Sequence, residues 1–217
     1  MTKPRKMTNY ADTDSQMNAV ARRSLDAADA ATGTERFAAR WRAFFVRRRT
    51  FLGLIVAFIL VLVADPTPVL LYAGAAIMAI AHVLRLVCSG YLDKDARLIT
   101  AGPFSYCRNP LYVGNAMVVI AFALMSGQVI ALPVMLVLWL ATHRPTVACE
   151  EGLLRDNFGE KFEDYCRRVP RWFPRLRARA GEREGEFRWS RVVENGEHVN
   201  VISAWILAAM FFVEMVK

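Results

Sequence analysis

Metal-binding and disulfide-forming patterns are missing from this 217-residue sequence. Its four cysteines, Cys88, Cys107, Cys149 and Cys166, show no Cys-x-x-Cys spacing, and the three histidines, His82, His143 and His198, stand singly. Zinc ribbons and paired redox thiols are thereby excluded, the thiols are expected to be reduced, and no metal site is expected. Basic residues are abundant but are not interleaved with aromatics in any nucleic-acid-binding motif, so no nucleic acid partner is expected. A secretory signal is not expected either, because about forty polar residues precede the first apolar run.

What the chain does have is apolar residues in blocks. Hydrophobic residues make up 55% of it and fall in runs at 51–64, 69–88, 111–125, 129–141 and 199–216, with nearly all 28 Lys and Arg between them. Such segregation marks a chain that uses a bilayer as solvent. A spanning helix takes roughly 20 apolar residues, which only the second and last runs approach unaided. The first extends backwards if Arg47, Arg48 and Arg49 snorkel to the headgroups. The third and fourth read as arms of a helical hairpin turning at Ser126-Gly127-Gln128, since together they are too long for one crossing. The expected fold is all-α: a polytopic membrane protein with about five transmembrane helices, at about 44–64, 69–88, 111–125, 128–143 and 199–216. Residues 1–40 are expected to be a disordered or surface-helical leader, and 41–217 the membrane domain.

Loop charge sets the orientation. Residues 1–50 carry eleven Lys or Arg, 89–110 three and 143–198 twelve, whereas the turns at 65–68 and 126–128 carry none. The positive-inside rule then places the N-terminus, the middle loop and the long penultimate loop in the cytoplasm, with the C-terminus outside after five spans. On this reading the net charge of +8 directs topology, and contact with anionic membrane lipids follows from it.

Two cytoplasmic loops hold the residues that suggest chemistry. Residues 95–114 read DARLITAGPFSYCRNPLYVG. Pro110 suits the first turn of the third span, and Asn109 the N-cap, its side-chain oxygen accepting from a free backbone amide. Phe104, Tyr106 and Tyr112 surround Arg108 in sequence, as the walls of a slot for a planar heterocycle or as an interfacial aromatic belt. Residues 143–174 read HRPTVACEEGLLRDNFGEKFEDYCRRVPRWFP, helical from 147 to 168 with a break near Asn157-Phe158-Gly159. Glu150 and Glu151 point about 100° apart on a helix, so one can face a buried site and the other water. They either pair with local arginines such as Arg144 and Arg155 or hold a hydroxyl or ammonium group of a cofactor. Trp172 and Phe173 suit membrane anchoring. Ahead of the last span, Glu194, Asn195, Glu197 and His198 either line the mouth of a substrate cavity or form a solvated lead-in.

Taken together, these loops resemble the isoprenylcysteine carboxyl methyltransferase family and its bacterial relatives, which include phospholipid N-methyltransferases. Five pieces in order carry the resemblance: Gly102-Pro103-Phe104, then Arg108-Asn109-Pro110-Leu111-Tyr112-x-Gly114, Glu150-Glu151-x-x-Leu154, Phe158-Gly159, and Tyr165 to Pro170. It covers about residues 70–174 and implies a methyltransferase of the bacterial inner membrane whose cytoplasmic loops bind S-adenosylmethionine. The cofactor residues it implies are Ala96, Arg97, Leu98, Ile99, Phe104, Asn109, Pro110, Leu111, Tyr112 and Glu150. Two positions depart from the pattern. The family histidine is Asn109, which keeps the hydrogen bonds of a neutral imidazole but cannot titrate near neutrality. The arginine that meets a prenylcysteine carboxylate is replaced by Thr146, with Arg144 two residues away as its candidate substitute.

Methyl transfer from a sulfonium is an in-line displacement, so the chain mainly has to align the reactants and exclude water. Where the acceptor must lose a proton, the candidate bases are Glu151, Glu197 and His198. The acceptor is expected to be a lipophilic small molecule entering from the bilayer: a lipid amine, an isoprenoid carboxylate, a hydrophobic thiol or a sterol-like alcohol. The alternatives are an NADPH-dependent enzyme like the membrane sterol reductases and a non-enzymatic adaptor or transporter. The apolar runs hold few ionisable residues for a transport pathway, His82 and Arg85 being the exceptions.

Overall fold

The computed structural model describes residues 53, 55–93, 97–177 and 184–217. The expected leader, part of the first span and Ala96 lie outside these residues. Every regular element described is helical. A helical stretch at 55–62 is followed by α1 (Pro68–Tyr91), a 3-10 turn (Gly102–Ser105), α2 (Pro110–Met125), α3 (Ala131–Phe158), α4 (Glu160–Arg168), α5 (Trp189–Glu194) and α6 (Glu197–Val216). The all-α membrane architecture expected from the sequence is borne out. Helices α1, α3 and α6, of 24, 28 and 20 residues, are long and apolar enough to cross a bilayer, and α2 is a shorter apolar helix. Their outward faces carry exposed apolar side chains such as Val83, Val137, Ile206 and Val213, the surface lipid requires.

Local chemistry explains where these helices start and turn. Pro68 opens α1 behind Thr67, whose hydroxyl accepts from the Leu70 amide at 3.4 Å. The hairpin between α2 and α3 turns where the sequence indicates, with Gly127 at φ +70°. Here the two turns that lack basic residues meet. The Asp65 amide donates to the Ser126 carbonyl at 2.9 Å, and Gln128 Nε2 donates to the Val63 carbonyl at 2.7 Å. A Cβ on Gly127 would run into the Asp65 carbonyl. Below them Leu60, Leu71, Met78, Phe122, Met125 and Phe211 pack into the main apolar core.

The fourth span corrects one expectation. Instead of leaving the membrane near residue 143 and restarting as a separate helix at 147, the chain continues without a break to Phe158. At a rise of about 1.5 Å per residue α3 is some 42 Å long, so it outreaches a hydrocarbon core of about 30 Å. Pro145 removes one helical hydrogen bond without ending the helix, and the Thr142 and Thr146 hydroxyls on either side of it donate to the carbonyls of Leu138 and Thr142, each at 2.8 Å. The break expected near 157–159 is present, at Gly159 with φ +52°.

Gly127→Ala places a side chain in the left-handed region against a carbonyl that cannot move without opening the paired turns. The cost should be at least about 1–2 kcal/mol. A clear fall in the thermal midpoint of the detergent-solubilised protein checks this.

Candidate functional site

The start of α2, the far end of α3 and the segment after α4 converge on Glu151, whose side chain is about nine-tenths buried. Asn109 Nδ2 donates to Glu151 Oε1 at 2.9 Å and to the Arg171 carbonyl at 3.2 Å. Arg171 places a guanidinium nitrogen 3.1 Å from Oε2, and Arg108 Nε lies 3.6 Å from Oε1. Asn109 therefore occupies the N-cap position of α2 without the expected cap hydrogen bond. Its side-chain NH2 is turned to a buried carboxylate, an orientation in which its oxygen makes no bond to the amides of α2. The arginines that meet the carboxylate are also not the local ones the sequence suggests. Arg155 pairs with Glu163 on α4, and Arg144 is exposed.

Glu150, one residue back and only half-buried, accepts from the Tyr112 hydroxyl at 2.6 Å. Residues 109 and 112 thus meet 151 and 150 across the α2–α3 interface, and the expected split between a buried and a more open carboxylate is seen. The aromatic wall is built differently from the expectation. Tyr112 stands edge-on to His143 at 5.6 Å, His143 stacks on Trp139 at 5.1 Å, and Trp172 meets Trp139 edge-on at 5.6 Å. Tyr106 is exposed, and Phe173 is exposed as a membrane anchor would be.

The neighbouring loops are fixed by main-chain contacts. The Arg108 amide donates to the Pro170 carbonyl at 2.9 Å, and the Arg175 amide to the Tyr106 carbonyl at 3.1 Å. Cys107 Sγ lies 3.3 Å from the Trp172 carbonyl, and burial pushes its thiol above the ordinary value. Tyr165 donates to the Phe104 carbonyl at 2.7 Å and packs with Phe162, Val169 and Leu98. Leu98 and Phe104, two of the implied cofactor residues, are buried by this packing, Ile99 is half-buried and Arg97 is exposed. Pro110 is buried and Leu111 half-buried in the first turn of α2.

The remaining candidates lie elsewhere. Glu197, buried at the start of α6, is held by Arg85 of α1 through two contacts of 2.6 and 2.9 Å, while His198 is exposed beside it. Arg85 also donates to Asn115 of α2. Asn195 donates to the carbonyls of Ser89 and Leu92, and Glu194 is exposed.

Comparison with known proteins decides the family. A profile of the phospholipid methyltransferase family matches residues 69–161, which include α1, α2 and the Glu150–Glu151 pair. The cobalt-zinc-cadmium resistance protein CzcN of Cupriavidus metallidurans is 31% identical over 150 residues, 68% of this chain and 67% of that protein. The chain belongs to the phospholipid methyltransferase family. The nickel-cobalt-cadmium resistance protein NccN of Alcaligenes xylosoxydans xylosoxydans is 36% identical over 109 residues, 49% of this chain and 51% of that protein. A protein-S-isoprenylcysteine O-methyltransferase of Schizosaccharomyces pombe is 32% identical over 83 residues, 38% of this chain and 35% of that enzyme. No solved structure matches.

Within this family of membrane methyltransferases the structure gives the motif residues physical roles. Gly114 lies against Arg85, and a Cβ there would come within 2.6 Å of Arg85 Cγ. Asn109 ties the start of α2 to Glu151 without a titratable ring. Sequence reasoning does not single out Arg171, which follows Pro170 in the family tail, nor Asn115, one residue past the motif glycine. Their only signal is position beside a motif, because their partners are distant in sequence.

Two outcomes follow for stability. Glu151→Ala leaves two guanidinium groups facing each other across a buried gap and should cost about 3 kcal/mol, read as a large drop in thermal midpoint. Tyr165 concerns pH, because burial raises its hydroxyl above the ordinary value of 10.0. The folded protein then holds this proton more tightly than the unfolded chain, so its contribution is complete below pH 10 and declines as pH rises further. Tyr165→Phe should lose about 1 kcal/mol at neutral pH. It should also remove part of the alkaline loss of stability, as pH-dependent melting will show.

Proposed function

We propose that this protein transfers a methyl group from S-adenosylmethionine to a lipophilic acceptor at the cytoplasmic face of a bacterial inner membrane. The observation that carries the reading is a surplus of positive charge beside the N-terminus of α2, where two guanidinium groups, Arg108 and Arg171, share the single carboxylate of Glu151. Guanidinium donors next to a helix N-terminus suit the carboxylate at the amino-acid end of that cofactor. The half-buried Glu150, already joined to Tyr112, suits its ribose hydroxyls or its ammonium group. Arg97, Leu98, Ile99 and Phe104 form the facing loop.

When bound, the cofactor supplies an already activated methyl group, and the chain's own residues supply alignment and exclusion of water. Glu151 acts in this reading as a positioning residue, because both of its oxygens are engaged by Asn109, Arg108 and Arg171. Thr146 is fully buried and donates to the Thr142 carbonyl, so it offers no charge to an acceptor carboxylate. That disfavours a prenylcysteine acceptor. The basic loops support a cytoplasmic N-terminus and cytoplasmic motif loops, and five spans would put the C-terminus outside. Two relatives are named for metal resistance. The corresponding role here would be methylation of an envelope component, since among the described residues no three His, Cys, Asp or Glu side chains group as a metal site.

Calorimetric titration of the purified protein in detergent separates this reading from a nicotinamide-dependent reductase. S-adenosylhomocysteine should bind, and Glu150→Ala and Tyr112→Phe should each weaken it about tenfold, or about 1.4 kcal/mol. Binding of NADPH without S-adenosylhomocysteine overturns the proposal. Unchanged affinity in both variants overturns the site.

A further inference from the structure

His82, Arg85 and Ser89 lie at i, i+3 and i+7 on α1, one buried stripe facing α6 and the start of the last span. The charges on this stripe are already matched. Arg85 grips both oxygens of Glu197 at 2.6 and 2.9 Å and donates its remaining arm to Asn115, while Asn200 Nδ2 approaches Glu197 at 3.5 Å. Gly114 provides the room for the arginine stem. Two polar atoms on either side of this pair are nevertheless left without a partner. They are His82 Nδ1 and Ser89 Oγ, in side chains only 4% and 2% exposed. Buried polar atoms in native proteins are almost always hydrogen-bonded, so two orphans flanking one ion pair mark a place where a partner is expected.

The surroundings indicate where that partner comes from. Trp205 of α6 sits 6.2 Å from the His82 ring and is partly exposed. Val199, Ile202 and Ile206 on the same half of α6 are exposed, whereas the buried apolar residues of that helix, Ala208 and Phe211, belong to its far half. A hydrocarbon chain lying along the near half of α6 from the bilayer would bring its polar end to His82. A charged end would be poorly received there. With Arg85 and Glu197 already neutralising each other, a carboxylate or an ammonium would add an uncompensated buried charge.

We propose that His82, Ser89 and the Arg85–Glu197 pair form the headgroup site for the lipophilic acceptor, and that this headgroup is an uncharged hydroxyl or thiol. The identification of the ligand as the methyl acceptor rests on the methyltransferase reading above. The site itself, and its preference for a neutral headgroup, rest on the stripe.

The chain has three histidines, so selective ¹⁵N-histidine labelling of the full-length protein in nanodiscs yields three ring environments. The His82 signals are assigned by their loss in His82→Gln. Hexadecanol and hexadecanethiol should shift the His82 ring signal, and hexadecylamine and hexadecanoic acid should not. Ser89→Ala and Gly114→Ala, the latter displacing Arg85, should weaken the response to the alcohol at least fivefold. No shift with any of the four probes, or a response to the acid or the amine as strong as that to the alcohol, overturns the proposal. S-adenosylhomocysteine binding is measured by calorimetry on the same nanodiscs. Its absence alongside an intact His82 response overturns the methyltransferase reading and leaves the headgroup site standing. Its presence with a silent His82 does the reverse.

Discussion

A buried carboxylate has to be surrounded, and Glu151 is the one around which the motif loops of this protein are arranged. Left alone in a low-dielectric interior it would cost several kcal/mol. Three stretches of chain meet here: Asn109 and Arg108 at the entry to α2, Glu151 itself on the far end of α3, and Arg171 after α4. Once these three meet, the smaller contacts follow. The Arg108 amide reaches the Pro170 carbonyl, Cys107 approaches the carbonyls of Arg171 and Trp172, and Tyr165 bonds to Phe104. The extra length of α3 has the same cause. Only a helix that continues beyond the membrane can carry Glu150 and Glu151 to the level of the motif loop.

Bilayer thickness, charge asymmetry and one glycine made most of the fold legible. The α2–α3 turn is readable because Gly127 is flexible and no basic residue anchors that side, and the contact between Asp65 and Ser126 agrees with both facts. The run from 131 to 158 is misjudged near residue 143, where the apolar sequence ends but the helix does not. At the site, the family likeness names residues without revealing their partners. Arg144 and Arg155 are near Glu151 in sequence, but Arg108 and Arg171 are near it in space. Asn109 illustrates the same limit. A cap is the best local use of an asparagine before Pro110, and a tertiary carboxylate displaces it.

The second ion pair, Arg85–Glu197, does for the last span what Glu151 does for the loops. Helix α6 buries few of its apolar side chains, so apolar packing alone holds it weakly to the rest of the protein. A bidentate, buried pair at its first residue fixes its N-terminal end in both position and rotation. Glu197 is readable from sequence as a polar residue at the lip of a span. Its partner, 112 residues earlier, is not.

The two pairs also differ in a way that bears on chemistry. Around Glu151 there are two guanidinium groups for one carboxylate, so that end carries a surplus of positive charge. Around Glu197 there is one guanidinium for one carboxylate, and the unpartnered atoms belong to a histidine and a serine. A soluble, charged donor and an oily acceptor present opposite requirements to a protein. In the proposed reaction, an anion site at the motif loops and a charge-neutral polar site beside α6 would meet those requirements separately. Helix α2 joins the two, carrying Asn109 and Tyr112 towards the first and Gly114 and Asn115 towards the second, so that one turn of helix sets the distance between them.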